Sequence, residues 1–388
     1  MADRPDYDVA ILGGGLAGLS LAVRLAELPD LRTLILEPRT GYARDRTWSS
    51  WRLLHHPFAE AVTASWAHWE IRHRDTGGRA GTVRQTSAAM PYQMIPSDRL
   101  WQVAEARLRT APQIELALGR RALALQEATD RVAITTESGT VTAGLVFDSR
   151  PPEGGPGDLV QRFVGQEVAT AGPVFDPGCA TLMDFTVPQL PGVVHFLYVL
   201  PTSPHEALVE DTWFAPAGAA LPDSRATIRS YLAERYGVAD YRVGFEEQGA
   251  IPMSPDLQAP RTTGRVIPIG AAGGALKPSS GYGFLTIQRM ADELAAGLAA
   301  GRRPAPFQPR GRTAQWMDRV FLFALQQRPD LAPDLFASLF AQCRPEPLIR
   351  FLHDVGGPAD VARVVAAMPK RPMIAAAAGM LWRRTASP

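Results

Sequence analysis

This chain of 388 residues has few of the residues that would support disulfides, metal sites or a membrane span. Its two cysteines, Cys179 and Cys343, lie far apart. They fit no metal or redox spacing and read as free buried thiols in a reducing compartment. No stretch reaches the ~18 apolar residues that a bilayer-spanning helix needs, and the nearest run, Met373 to Trp382, is about half that length. A soluble protein and one peripheral to a membrane both stay open. Charge nearly cancels, with 40 Lys and Arg against 39 Asp and Glu, for a net +1. That removes the general case for nucleic-acid binding or an acidic tail. The seven histidines, His55-His56 included, show no ligand spacing, so no metal site is expected. Gly-x-Ser-x-Gly and paired Cys–His signals are missing. The start, Met1 to Asp6, is polar and acidic and does not read as a signal peptide. There is no internal repeat and no low-complexity segment.

What is present suits a folded protein of two or three lobes: 46% hydrophobic and 20% charged residues. Tyr7 to Leu12 reads as a buried strand, Leu16 to Leu28 as a helix and Arg32 to Glu37 as a second strand. Ser97 is a candidate cap for a helix from Asp98 to Leu108. Val132–Thr136 and Val141–Phe147 look like strands. Pro151 to Asp158 is a Pro/Gly-rich loop and a candidate lobe boundary. Strands follow, including Thr181–Val187, Val193–Leu200 and Ala207–Phe214, and then a helix over Ser224–Tyr236. Gly264 to Gly270 returns to a strand, followed by a glycine-rich loop and a helix from Leu285 to Ala300. The segment from 312 to 384 is helical.

Gly13, Gly15 and Gly18, with Gly14, Leu16 and Ala17 between them, fit GxGxxG between the first strand and its helix. The first glycine makes the tight turn, the second admits a pyrophosphate to the backbone, and the third lets helix and strand pack closely. The helix N-terminus then offers free N–H groups to the phosphates. Glu37 ends the second strand, where a carboxylate can accept hydrogen bonds from ribose hydroxyls. The unit starts within ten residues of the N-terminus, which favours FAD over NAD. A second motif runs from Gly270 and Ala271 through Pro278 to Gly281 and Gly283. It resembles the second FAD motif of glutathione-reductase-like flavoproteins, with Ala271 where most of these carry Asp.

Several short segments, in order, resemble lycopene β-cyclases of the bacterial FAD-dependent type. They are Asp45-Arg46-Thr47-Trp48-Ser49, Phe163-Val164-Gly165-Gln166-Glu167, Met183-Asp184-Phe185 and Phe196 to Pro201. Val209-Glu210-Asp211-Thr212, Glu247 to Pro252 and Gly270 to Gly274 with its trailing Pro-Ser-Ser-Gly-Tyr extend the match over nearly the whole chain. The resemblance implies a reaction without net redox. The linear end group of lycopene is protonated at C2, the C1 cation is attacked by the neighbouring double bond, and loss of the C6 proton leaves a β-ring. Two such events give β-carotene through γ-carotene. The resemblance further implies reduced FAD, with NAD(P)H as electron source.

Protonating an alkene needs a positioned acid in a water-poor site, and burial keeps a carboxyl protonated at neutral pH. Aromatic faces and carboxylates can then stabilise the cation. Leu208, Glu210, Thr212 and Phe214 share one face of an unbulged strand. The family's catalytic glutamate aligns with Glu210. Asp211 falls on the other face and is kept as a second catalytic candidate, because a bulge would bring it round. Glu246 and Glu247 read as surface or flavin-supporting. Arg44 and Arg46 could meet the flavin phosphates or lie in a solvated loop. Trp48 and Trp51 read as core ahead of cation stabilisers, and Arg99 as a candidate flavin contact.

The expected architecture is α/β. A Rossmann-like FAD-binding domain of the glutathione-reductase-like type spans 1–158 and 256–305, with part of the substrate sheet inserted. A β-rich substrate domain spans 159–255, and a helical lobe spans 306–388. In that lobe Phe321, Leu322, Phe323, Leu335, Phe336, Leu339, Phe340, Ile349, Phe351 and Leu352, among arginines, suit either a lipid-facing helix face or an ordinary core. The expected place is the cytoplasmic membrane surface. The rivals are an isoprenoid reductase or monooxygenase on the same fold, and a carotenoid carrier.

Overall fold

The computed structural model describes residues 4–74, 77–151, 159–254 and 264–386. In chain order the first part forms β1 (Tyr7–Leu12), α1 (Leu16–Leu25), β2 (Thr33–Glu37), β3 (Thr47–Trp51), β4 (Ala64–Trp66), β5 (His68–Arg74), β6 (Ala80–Thr86), β7 (Tyr92–Pro96), α2 (Ser97–Leu108), β8 (Ile114–Leu118), β9 (Ala122–Glu127), β10 (Val132–Thr136) and β11 (Gly139–Asp148). The middle forms β12 (Leu159–Ala169), β13 (Cys179–Asp184), β14 (Val194–Pro201), β15 (Glu206–Pro216), α3 (Ser224–Tyr236), β16 (Arg242–Pro252) and β17 (Val266–Pro268). Helices close the chain: α4 (Phe284–Ala299), α5 (Arg312–Gln327), α6 (Ala332–Gln342), α7 (Pro345–Leu352), α8 (Pro358–Ala367) and α9 (Lys370–Ala386). The loop expected over 151–158 lies, from 152 on, outside the described residues.

The first sheet runs β8-β2-β1-β11-β10-β9, with β17 also paired to β11. Its β8, β2, β1, β11 and β17 are parallel neighbours, and β10 and β9 extend it antiparallel. β1 and β2 are covered on both faces, so they read as unbroken apolar runs rather than as alternation. Every residue of α1 is buried, and α1 packs against α4. The helix is a turn shorter than its apolar run suggested, since Ala26 to Leu28 close it with turn hydrogen bonds.

The second sheet runs β16-β12-β15-β14-β13-β5-β6. It is antiparallel except where β13 meets β5. β5 and β6, from early in the chain, thus form one edge of this second sheet. One face, carrying Leu208 and Phe214, packs on the helical lobe through Leu322, Leu335 and Phe336. The other, carrying Val209 and Leu197, packs on Ile228 and Leu232 of α3. α3 has the expected bounds because both ends are signalled locally. Asp223 accepts the Arg225 N–H at 3.1 Å, and Gly237 stops the helix at φ +68°. A small sheet, β3-β7-β4, bridges the two halves.

Ser97 does not cap α2, whose N-cap is Pro96. Its hydroxyl accepts the backbone N–H groups of Asp45 and Arg46 and donates to the Asp45 carboxylate at 2.9 Å, pinning that loop instead. In the helical lobe Leu322, Leu335, Phe336, Leu339, Phe340 and Ile349 are core. The large apolar side chains it exposes are Trp316, Val365, Ile374, Leu381 and Trp382. Both cysteines are free and buried.

Candidate functional site

Two glycine-rich turns meet at the helix ends of the first sheet. Gly13 has φ +98°, which only glycine adopts without strain. A Cβ on Gly18 would stand 1.9 Å from the Gly13 carbonyl oxygen, so the helix approaches the turn as closely as the motif requires. A Cβ on Gly15 would meet nothing within 4 Å, which leaves open space beside the backbone. The N-terminus of α1, from Leu16 and Ala17, has no side-chain cap and no acid in its first turn. The same holds for α4, entered from Gly283. The turn at Gly270, φ +66°, touches α1: a Cβ there would lie 2.8 Å from Ala17 Cβ. Ala271 is exposed next to it. Gly281, φ +71°, closes its turn by donating its N–H to the Lys277 carbonyl at 2.7 Å. Two uncapped helix N-termini joined by bare glycine backbone make a cradle for a phosphate-bearing anion.

Glu37, 3% exposed, stands at the end of β2 beside this cradle. It accepts the Gly14 N–H at 2.7 Å and the Arg39 backbone N–H at 2.8 Å. Burial works to raise its pKa, and the hydrogen bonds from Arg39 and Gly14 outweigh it, holding the group below its ordinary value. A carboxylate is thus ready for hydroxyl donors. Arg46 is not brought to the cradle. Its side chain is 59% exposed and pairs with Asp45 at 3.1 Å. Arg44 turns inward instead, meeting Glu167 at 2.7 Å and the Phe245 ring. Arg99 is exposed and donates to Gln102 Oε1 at 3.4 Å.

Between the turn at Gly281–Phe284, the strand β3 and the second sheet lies a cavity of about 140 Å³. Six aromatic rings line it, those of Trp48, Tyr92, Phe163, Tyr198, Tyr282 and Phe284. Trp48 therefore faces the cavity, whereas Trp51 is core, packed edge-on to Trp69 and Tyr92. Glu210 opens onto the same space. β15 pairs without a bulge on both sides, so Glu210 and Thr212 share a face, and the Thr212 hydroxyl donates to Glu210 Oε1 at 2.8 Å. Burial pushes the Glu210 carboxyl up to about 7, the Thr212 hydrogen bond opposing and the Asp211 charge adding. The phenols of Tyr92, Tyr198 and Tyr282 are raised by burial and stay neutral.

With no bulge to turn it, Asp211 lies on the α3 side, fully buried. Its carboxylate accepts the Trp213 indole N–H at 2.7 Å and contacts His195 Nε2 at 2.6 Å. Both carboxyl oxygens are thereby engaged away from the cavity.

Glu247, read from the sequence as surface or flavin-supporting, lines the cavity and is 4% exposed. Burial and the Glu210 charge push it up to about 8, against hydrogen bonds from Thr47 and the Arg44 charge. Its local pattern gives no sign of this, because β16 is an edge strand whose inward face is set by pairing with β12.

The chain matches the family model described as lycopene cyclase protein over residues 8–378. It is 30% identical over 311 residues to a lycopene β-cyclase of Paracoccus sp. (strain N81106 / MBIC 01143), covering 76% of this chain and 74% of that one. To a lycopene β-cyclase of Pantoea ananas it is 26% identical over 314 residues, covering 76% and 75%. Its fold is similar to that of a geranylgeranyl bacteriochlorophyll reductase-like protein from Thermoplasma acidophilum, at TM-score 0.59, 14% identity and coverage of 93% and 95%. It is also similar to that of p-nitrophenol 4-monooxygenase from Pseudomonas putida DLL-E4, at TM-score 0.56, 16% identity and coverage of 96% and 97%. At such identities the likeness is one of fold, and the fold is the α/β, Rossmann-like one of flavoproteins. With the family model aligned from β1 into α9, the chain belongs to the lycopene cyclase family.

Proposed function

We propose that this protein is a lycopene β-cyclase that turns the linear end groups of lycopene into β-rings, through γ-carotene to β-carotene, without net redox. The observation that carries the proposal is Glu210, a carboxyl that burial lifts to about 7, so that a large share of it holds its proton near neutral pH, in a cavity lined by aromatic rings. Glu210 holds the proton delivered to C2, and Thr212 fixes the direction of its carboxyl. The faces of Trp48, Tyr92, Tyr198 and Tyr282 stabilise the cation as it moves from C1 to C5. The same walls keep out water that would trap the cation as an alcohol.

FAD fits the glycine cradle. Gly13, Gly14, Gly15, Leu16, Ala17 and Gly18, with Glu37, would hold its adenosine and pyrophosphate. Gly270, Ala271, Gly281 and Gly283 would hold its flavin half beside the N-terminus of α4. When bound and reduced, with electrons from NAD(P)H, FAD supplies a negatively charged ring next to the cavity.

The substrate is a forty-carbon hydrocarbon, and the cavity has room only for an end group. Ser280, on the cavity wall, also borders an apolar groove in the helical lobe formed by Phe321, Leu339, Phe351, Met368 and Met373. Trp316, Val365 and Ile374 flank the groove at the surface. No helix among the described residues is long and apolar enough to cross a membrane. The protein is therefore proposed to rest on the cytoplasmic membrane surface through this edge. Sedimentation with liposomes tests it: Ile374→Ser with Trp382→Ser should weaken pelleting, and a wild type that stays in solution would remove the idea.

The activity test is product mass. Wild type, reduced FAD and lycopene in liposomes should give pigments isomeric with lycopene. A gain of oxygen or hydrogen would replace the cyclase reading with a monooxygenase or reductase.

A further inference from the structure

The acid step leaves one buried carboxyl of the cavity without a task. Glu247 on β16 and Glu210 on β15 both pair with Gly165 of β12, which lies between them. The three residues form a row across the sheet and share its cavity face. A Cβ on Gly165 would stand 3.2 Å from Glu247 Cγ and 3.4 Å from Glu247 Oε1. The Glu247 side chain therefore lies over the glycine, on the side of its own strand that faces Glu210. Its Oε2 is buried and has no hydrogen-bond partner among the described residues.

We propose that Glu247 is a positioning acid that works through Glu210: a neutral carboxyl that shares the negative charge Glu210 acquires when it protonates the alkene. This rests on the cyclase reading above. The burial that favours the protonated form of Glu210 also makes it a reluctant donor, because a lone buried carboxylate is costly. An adjacent O–H that donates to the forming carboxylate lowers that cost when charge develops. The groups facing Glu247 fit this role. Glu210 stands across Gly165, Thr47 of β3 lies at its carboxyl and favours the charged form, and the nearby Arg44 cation is already paired with Glu167 at 2.7 Å. Glu247 is the harder of the two to ionise, since the Glu210 charge itself raises it.

The protons balance within the site. The π electrons of the alkene form the C2–H bond with the Glu210 proton, and the O–H pair stays on Glu210. Ring closure forms the C1–C6 bond. The C6 proton returns to the Glu210 carboxylate as the C5–C6 double bond forms. Glu247 keeps its own proton throughout.

The test compares wild type with Glu247→Leu, Glu247→Gln and Gly165→Ala on lycopene liposomes with reduced FAD, reading kcat, KM and bound FAD per chain. Glu247→Leu should lower kcat roughly 10- to 100-fold, the scale of a hydrogen bond to a charged group, with KM and bound FAD unchanged. Glu247→Gln, a neutral donor of the same shape, should recover most of the loss. Gly165→Ala puts a methyl group against Glu247 Cγ and Leu208 Cδ1, on the strand position that separates the two glutamates, and should lower kcat on the same pattern. Wild-type kcat in the Leu or the Ala variant overturns the inference. So does a Gln variant as slow as the Leu variant, since Glu247 would then have to accept a proton itself. A wild type that forms no cyclised pigment overturns the proposed function and this inference together, whereas an active wild type with an equally active Leu variant overturns this inference alone.

Discussion

Glu210 and Asp211 are consecutive on β15, yet their carboxyls lie on opposite faces of the sheet. Glu210 opens onto the aromatic cavity, and Asp211 is sealed against Trp213 and His195. Strand alternation alone separates a group poised to titrate from one fixed in the core.

Substitutions at the two positions should therefore fail in different ways. Glu210→Gln keeps shape and removes the proton, so cyclisation should fall by roughly 10²- to 10⁴-fold with the melting temperature little changed. Asp211→Ala leaves the buried partners His195 and Trp213 without their acceptor. It should cost about 2–4 kcal/mol of stability while the folded fraction still cyclises. Pigment chromatography and thermal melts on the same preparations check both. An active Glu210→Gln, or an Asp211→Ala that melts like wild type, would break the division.

The parts legible in the sequence were those whose cause is local. The Gly13–Gly18 turn, the buried run of β1 and the face carrying Glu210 each follow from a few adjacent residues. Glu247 was not legible, because its place depends on β16 meeting β12 about eighty residues earlier, across a register shift at Glu167/Val168. Ser97 looked like a cap until the distant Asp45–Arg46 backbone claimed its hydroxyl. In the helical lobe an apolar face could be read. Whether a neighbour covers it could not, since helix–helix packing and lipid contact select the same residues.

The glycines of the first turn separate fold from cofactor. Gly15 has φ −84° and ψ −169°, which alanine adopts freely, and a Cβ there meets only open space. Gly15→Ala should melt like wild type without FAD and bind FAD more weakly, because the methyl group takes the place of the pyrophosphate. Gly18→Ala, whose Cβ would fall 1.9 Å from a backbone oxygen, should lose stability as well as flavin. Melts of FAD-free protein and flavin fluorescence titrations distinguish the two. Equal FAD affinity in Gly15→Ala and wild type would move the cofactor elsewhere.

A buried ion cluster fastens the second glycine turn to the helical lobe. Lys277, 1% exposed, meets Asp354 at 2.7 Å and Asp318 at 3.2 Å, while Arg310 meets Asp354 at 2.9 Å. Lys277→Met leaves carboxylates buried short of a cation and should cost about 3–5 kcal/mol. The turn from Gly270 to Gly283 loses its anchor, so bound FAD should fall too. Retention of both stability and flavin would show that the cluster is dispensable.

Acid should destabilise the fold partly through His353. The ring is 2% exposed, packs against Trp51 and Tyr282, and its Nε2 has no hydrogen-bond partner among the described residues. Burial pushes its pKa down from 6.5 to about 3, Asp354 opposing and the Lys277 and Arg289 charges adding. The unfolded chain thus takes up a proton that the folded one refuses. The contribution of the neutral ring is complete above pH 6.5 and is lost as pH falls from there toward about 3. Each pH unit in that window removes up to about 1.4 kcal/mol. His56, lowered to about 4 by burial, acts in the same sense. His353→Phe fills similar space and cannot charge, so its melting temperature should fall less steeply than wild type between neutral pH and about pH 5. Identical slopes would place the acid sensitivity in other groups.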